Sequence, residues 1–285
     1  MDIKLITTLN GNLDLETVTR NALHILEKFN RTDIPVAKGA IKPLGKSMPN
    51  AAFIHQSKGM GGYIPPETVK TKPIETPAFE AMYELIKNNP NEVVILSLGP
   101  HTNVGTLIKE HPDVVHLIKH IYCEGCAAYG KRIEKNWKNY ISFNASTDAE
   151  ALKIVMESGI PITIIPSRMG RDLANFTEKE VFEIRELNDV GKFFFEMYNQ
   201  YWEHNYKDRR IATNDTCAVL AFREPSLFKT KKAIVKVDTD EMYGKTEFTF
   251  TRNGHVNYVY KVNKKKMHEC FYRAIKKLDK FKFYN

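Results

Sequence analysis

Residues 93–103 read VVILSLGPHTN, a β-branched apolar run that stops at a small polar cluster. Two other stretches have the same form: residues 3–12 (IKLITTLNGN) and residues 141–148 (ISFNASTD). A fourth cluster, Asn214–Asp215, precedes the apolar run CAVLAF. Strands buried on both faces of a parallel sheet read as continuous apolar runs. In open α/β sheets, ligands bind just beyond the carboxyl ends of such strands. The pattern therefore predicts several amides and a carboxylate aimed at one crevice, where they would suit a hydroxyl-rich ligand or a hard cation.

The rest of the chain supports that architecture. Residues 13–29 carry Leu15, Val18, Ala22, Ile25, Leu26 and Phe29 at helical spacing, with Asp14 placed to cap the start. A short strand is expected at 34–37. A Gly/Pro-rich stretch from 38 to 77 follows, containing His55 and the run KGMGG at 58–62. Loops of that length often serve as active-site lids. Helix is expected at 77–89, strand at 93–98 and 118–123, helix at 148–158, strand at 162–165 and a long helical region over 177–205. Strand alternating with helix argues for a mostly parallel open sheet with flanking helices. After Leu227 the segments 232–237, 246–251 and 256–262 alternate like a small antiparallel β region, and 263–278 reads as a final amphipathic helix. No boundary divides the 285 residues, so one α/β domain is expected.

Composition narrows the class. Hydrophobic residues make up 42% and charged residues 27%, ordinary values for a globular protein. No apolar stretch approaches the roughly 20 residues that span a bilayer, and the N-terminus lacks the features of a signal peptide. The default expectation is a cytoplasmic protein with no membrane association. The net charge of +8 is concentrated in the C-terminal lysines. No nucleic-acid-reading motif accompanies them, so they read as a solvated helix face.

Four cysteines are present. Cys123 and Cys126 form a C-x-x-C with no second pair, which favours packing at a strand end over a zinc site, with a redox dithiol as an alternative. Cys217 and Cys270 read as core residues. His101 reads as a surface or capping residue and His24 as a helix-face residue. Asp148, with Ser146 and Thr147, reads as an N-cap group.

Eight stretches occur in an order that resembles the inosine–uridine nucleoside hydrolase family: ITTLNGN, TRNALHIL, DIPVAKGAIKPL, IHQSKGMGG, LGPHTN, FNASTDAEA, NDTCAVLAFREPSLF and YGKTEF. They cover nearly the whole chain from residue 3 onward. The resemblance implies hydrolysis of the N-glycosidic bond of ribonucleosides through an oxocarbenium-like transition state. A calcium ion would hold the attacking water and the ribose diol, and an aspartate would take the water's proton. Carried over by position, Asn12 matches an asparagine that binds the ribose diol. Asn144 matches one on the 5′-hydroxyl side of the sugar, and Asn136 aligns with a further ribose-contacting asparagine across a loop of different length. Leu98 matches the calcium-binding carbonyl, and Asp215 matches the late aspartate ligand. His55 and the glycines after it match a mobile loop that closes over substrate.

The chain departs from the family pattern in several places. The family's Asp-x-Asp-x-Gly-x-Asp-Asp motif, which supplies the catalytic base and most calcium ligands, has no counterpart here. The sequence as given begins at what would be the family's second strand. Asp2 precedes that strand and, at about 3.3 Å per residue, lies too far from its carboxyl end to substitute. Ser142 stands in place of a glutamate, and Asn214 in place of a histidine near the leaving base in some members. Asn214 cannot act as a general acid near neutral pH. Glu124 adds a carboxylate where the family usually has none.

No catalytic residue is identified. Calcium binding is expected to be weak or absent, and hydrolysis absent or severely impaired. The aspartate-rich segment is expected upstream of Met1 in a longer protein. The alternative is a non-catalytic relative that binds ribosides or partner proteins. An oxidoreductase built on Cys123 and Cys126 is disfavoured. Loss of the first strand and helix would leave apolar surface and a strand edge uncovered, which a homo-oligomer would cover.

Overall fold

The computed structural model describes residues 1–46, 58–126, 141–167, 169–198 and 210–278. Three of the expected apolar runs form β3 (Val94–Ser97), β4 (His120–Glu124) and β5 (Ile162–Ile165), which pair in parallel. The sheet then continues through β8 (Val256–Val262), parallel to β5, and β6 (Phe228–Val237) and β7 (Thr246–Phe250), each antiparallel to its neighbour. The C-terminal antiparallel region is thus an extension of the main sheet. One row of partners crosses it: Ile95, Ile121, Ile162, Val256, Ala233 and Phe250.

Successive strand residues point to opposite faces, and helices cover both. Ile162 and Ile164 join a core with Leu107 of α3 (Thr102–Glu110) and Leu152 and Val155 of α5 (Ala149–Glu157). Ile165 joins the opposite core with Cys217 and Ala218 of α9 (Asn214–Arg223) and Met267 of α10 (Lys264–Lys277). Cys270, expected in the core, is only partly buried, and Arg273 donates to its sulfur. The intervening helices are α2 (Ala78–Asn88), α4 (Phe143–Thr147), α6 (Met169–Asp172), α7 (Glu178–Arg185) and α8 (Asp189–Tyr198).

The helical region expected over 177–205 contains two helices within its described part. Thr177 and Glu180 form a capping box at the start of α7, and Asn188 Oδ1 accepts from Gly191 N at 2.9 Å to start α8. Asparagine at such a position offers the backbone a side-chain acceptor in place of a continuing helical turn.

The helix α1 (Leu15–Lys28) is capped by Asp14, which accepts from Thr17 N at 2.9 Å. Its buried face is rotated from the expected stripe: Leu15, Thr19, Leu23, His24 and Leu26 are buried, while Val18, Ala22 and Ile25 are half-buried. Polar contacts set the rotation. Thr19 Oγ1 lies 2.8 Å from Thr8 Oγ1, Asn21 donates to the Lys58 carbonyl at 2.8 Å, and His24 Nε2 lies 2.9 Å from Tyr63 Oη.

Strands β1 (Ile6–Thr8) and β2 (Val36–Lys38) make a separate parallel pair. Among the described residues, no strand joins β1 to β3. The side chains of Val94, Ile95 and Leu96 in β3 are half-buried, whereas every residue of β5 is buried. Asn103 ties the two sheets together: its Nδ2 donates to Thr8 O at 3.0 Å, and its Oδ1 accepts from Ala40 N at 2.9 Å.

Candidate functional site

The parallel strands end on one side, and the predicted residues sit there. Leu98 follows β3, Glu124 ends β4, and Asn144 lies in α4, which begins where Ser142 Oγ accepts from Ala145 N at 3.3 Å. Asn144 Nδ2 donates to Leu98 O at 3.2 Å and to Glu124 Oε2 at 2.9 Å, with a longer contact of 3.5 Å to Glu124 O. The turn after β4 permits this approach. Gly125 has φ +81, and a Cβ there would lie 2.7 Å from Asn144 Nδ2. A residue with a side chain would be strained in backbone and would displace the amide.

Asp215 enters from the first turn of α9. Its side chain reaches solvent, yet protein crowds it closely enough to push its pKa up to about 6. Glu124 is held well above the usual carboxylate range, first by burial, then by the Asp215 charge, with Cys123 adding to the shift and the Asn144 hydrogen bond opposing it. Facing carboxylates resist double ionisation and so form a site for a proton or a cation.

Asn214, one residue earlier, lies against α6. A Cβ on Gly170 would meet Asn214 N at 2.3 Å and its Oδ1 at 2.7 Å. Asn214 Oδ1 is buried and has no hydrogen-bond partner among the described residues. An unmet acceptor of that kind costs about 1–3 kcal/mol.

Asn12 lies in the bend after β1, with an exposed side chain. A Cβ on the adjacent Gly11 would stand 3.2 Å from Pro100 Cδ, which sets this bend beside the turn that follows β3. Asn136 and His55 lie outside the described residues. Asp2 is paired with Lys4 at 2.6 Å.

The calcium expectation can be tested against the donors present. Leu98 O and the carboxylates of Glu124 and Asp215 are the oxygens brought together, and two of these already receive the Asn144 amide. Calcium takes 6–8 oxygen ligands, so the described residues do not fit a calcium cage.

Several residues behave differently from the sequence reading, or were missed by it. His101 is neither at the surface nor a cap: it is fully buried and makes no side-chain cap bond to α3. Its Nδ1 lies 2.6 Å from Ser97 Oγ, and its Nε2 lies 3.2 Å from Cys126 Sγ. Cys123 and Cys126 are buried, as the packing reading expected. Asp148 caps α5, accepting from Ala151 N at 3.1 Å, and also accepts from Thr102 Oγ1 at 2.7 Å and Leu44 N at 2.8 Å. Tyr243, part of the YGKTEF stretch, was not singled out. Its hydroxyl accepts from Lys46 N at 3.0 Å and Ala149 N at 3.3 Å and donates to Glu150. The only sequence signal for that role was its place in the motif.

Comparisons with known proteins agree with this arrangement. The family model for inosine-uridine preferring nucleoside hydrolase matches residues 1–284. The non-specific ribonucleoside hydrolase RihC of Salmonella typhimurium is 30% identical over 246 residues, covering 85% of this chain and 77% of the relative. The purine-preferring ribonucleoside hydrolase from Gardnerella vaginalis superposes with a TM-score of 0.88 at 25% identity, covering 99% of this chain and 92% of the other. A plant nucleoside hydrolase, PpNRh1, gives a TM-score of 0.87 at 25% identity, over 96% and 91% of the two chains. With the family model spanning nearly the whole chain and a relative 30% identical across most of both chains, the chain belongs to the inosine-uridine preferring nucleoside hydrolase family.

Proposed function

We propose that this chain binds the ribosyl group of a ribonucleoside in the cleft at the strand ends, and that as given it hydrolyses the glycosidic bond poorly or not at all. Asn12, Asn144 and Asn136 grip the sugar hydroxyls, and Asp215 lies on the face where the anomeric centre reacts. The carrying observation is the bond from Asn144 Nδ2 to Leu98 O. An N–H donor rests on the carbonyl that would otherwise receive a cation.

Weak calcium affinity follows from the same feature, since the ion has to compete with that amide. Among the described residues, water activation lacks a well-held metal, and burial and the Asp215 charge make Glu124 hold its proton to higher pH than an ordinary carboxyl. Asn214 cannot protonate a leaving base. Pairing of subunits over the β1 and β3 edges is the oligomeric arrangement this account favours.

The test is release of ribose from inosine and uridine by the purified chain, with and without added calcium. The reading expects no release above a heat-inactivated control in either condition. Calcium-dependent, saturable release overturns it.

A further inference from the structure

Beside the Glu124–Gly125 turn that Asn144 approaches, three metal-ligating side chains meet in the core. The ligand atoms of His101, Cys123 and Cys126 all lie within 4.8 Å of one another. The exposures are 0% for His101, 0% for Cys123 and 1% for Cys126. Both thiols are free. From this geometry we infer that His101, Cys123 and Cys126 form a buried zinc site, separate from any ion at Asp215.

Four observations support the inference. The first is reach. Zinc bonds of about 2.3 Å to sulfur and about 2.0 Å to nitrogen place tetrahedral ligands roughly 3.5–3.8 Å apart. The 3.2 Å between His101 Nε2 and Cys126 Sγ and the 4.8 Å limit on all pairs bracket that spacing. Small side-chain rotations close the difference.

The second is orientation. Zinc-bound histidines characteristically donate their other ring N–H to a fixed acceptor. Ser97 Oγ stands 2.6 Å from His101 Nδ1. With Nδ1–H donated there, the Nε2 lone pair faces the two sulfurs.

The third is backbone. Glu124 points from β4 toward Asn144, and the positive-φ Gly125 turns the chain so that Cys126 returns beside Cys123. The Cys126 carbonyl is fixed by Thr246 Oγ1. The two sulfurs are therefore held together by the fold.

The fourth is charge. Binding releases one proton from each thiol to solvent as two sulfur–zinc bonds form. Two thiolates and a neutral imidazole then balance Zn²⁺, leaving no net charge in an apolar core. A monovalent ion such as Cu⁺ would leave one uncompensated negative charge there, which is costly. A neutral water completes the fourth position.

The experiment uses the full chain, expressed with zinc in the medium and purified without chelator. Zinc is counted per chain, and the protein is then refolded with cobalt(II) in place of zinc. The inference expects one zinc per chain and thiolate-to-cobalt charge-transfer absorption with tetrahedral d–d bands. Cys126→Ser should lose the charge-transfer signal and most of the zinc, while Cys217→Ser and Cys270→Ser retain both. The cobalt arm needs no variant, so it decides the matter even if Cys126→Ser fails to fold. Zinc-free protein whose cobalt spectrum lacks thiolate charge transfer overturns the inference. So does a Cys123–Cys126 disulfide in protein purified under reducing conditions, or zinc that survives in Cys126→Ser.

Discussion

Asn144 Nδ2 lies 3.2 Å from the carbonyl oxygen of Leu98 and 2.9 Å from Glu124 Oε2, so one amide joins the ends of two neighbouring strands. Removing that donor leaves two buried acceptors facing each other. Asn144→Ala is expected to lower stability by about 1–3 kcal/mol and to weaken riboside binding. Urea denaturation measures the first effect and calorimetry the second. Wild-type stability in the variant contradicts the role assigned to the amide.

Glu124 and Asp215 set a pH dependence. Both carboxyls hold their protons to higher pH in the folded chain than in the unfolded one. The folded state therefore binds more protons than the unfolded state between the unfolded and folded pKa values, and stability falls as pH rises through that interval. For Asp215 the interval runs from 3.8 to about 6. For Glu124 it starts at 4.5 and extends well upward. Glu124→Gln keeps an acceptor for Asn144 and abolishes the ionisation. In chelator-treated protein the variant should gain stability over wild type at neutral pH, and the gain should vanish near pH 4, below the ordinary glutamate range of about 4.3. Unfolding curves across that span check the sign; a gain that grows on acidification contradicts it.

Asn214 carries a stability cost. Asn214→Ala removes the buried acceptor that lacks a partner among the described residues and should raise stability by roughly 1 kcal/mol. Thermal melts measure the change, and a variant that melts lower than wild type refutes this role for the atom.

Asp148 holds α5, α3 and the segment after β2 through three accepted hydrogen bonds while fully buried. Asp148→Ala strands three donors, and a loss of about 3 kcal/mol or more is expected. Thr102→Val removes one of the three and should cost about a third as much. Equal losses in the two variants contradict the shared-acceptor picture.

The strands and the polar residues that follow them were legible because their signals are local. VVILSL and ITII are β-branched runs, and amides and a carboxylate follow the strands in sequence. The pairings across the cleft were not legible, because they join distant segments. Asn144 meets Leu98 and Glu124 only after β3, β4 and α4 are placed. The burial of His101 was hidden for the same reason. A histidine among Gly, Pro, Thr and Asn reads as polar surface, yet Ser97 and Cys126 give it partners in the core. The buried face of α1 departed from its apolar stripe because Thr19, Asn21 and His24 gain partners on β1 and in the 58–63 segment. The break before α8 depends on a single asparagine inside a helix-compatible stretch.

The central claim is recognition of the ribosyl group without turnover. It is tested most directly by calorimetric titration of the full chain with a ribonucleoside and with its 2′,3′-dideoxy counterpart, followed by assay of free sugar in the recovered sample. The account predicts saturable binding of the ribonucleoside, much weaker binding of the dideoxy compound, and no free ribose at the end. Ribose accumulating with time, or equal binding of the two compounds, contradicts it.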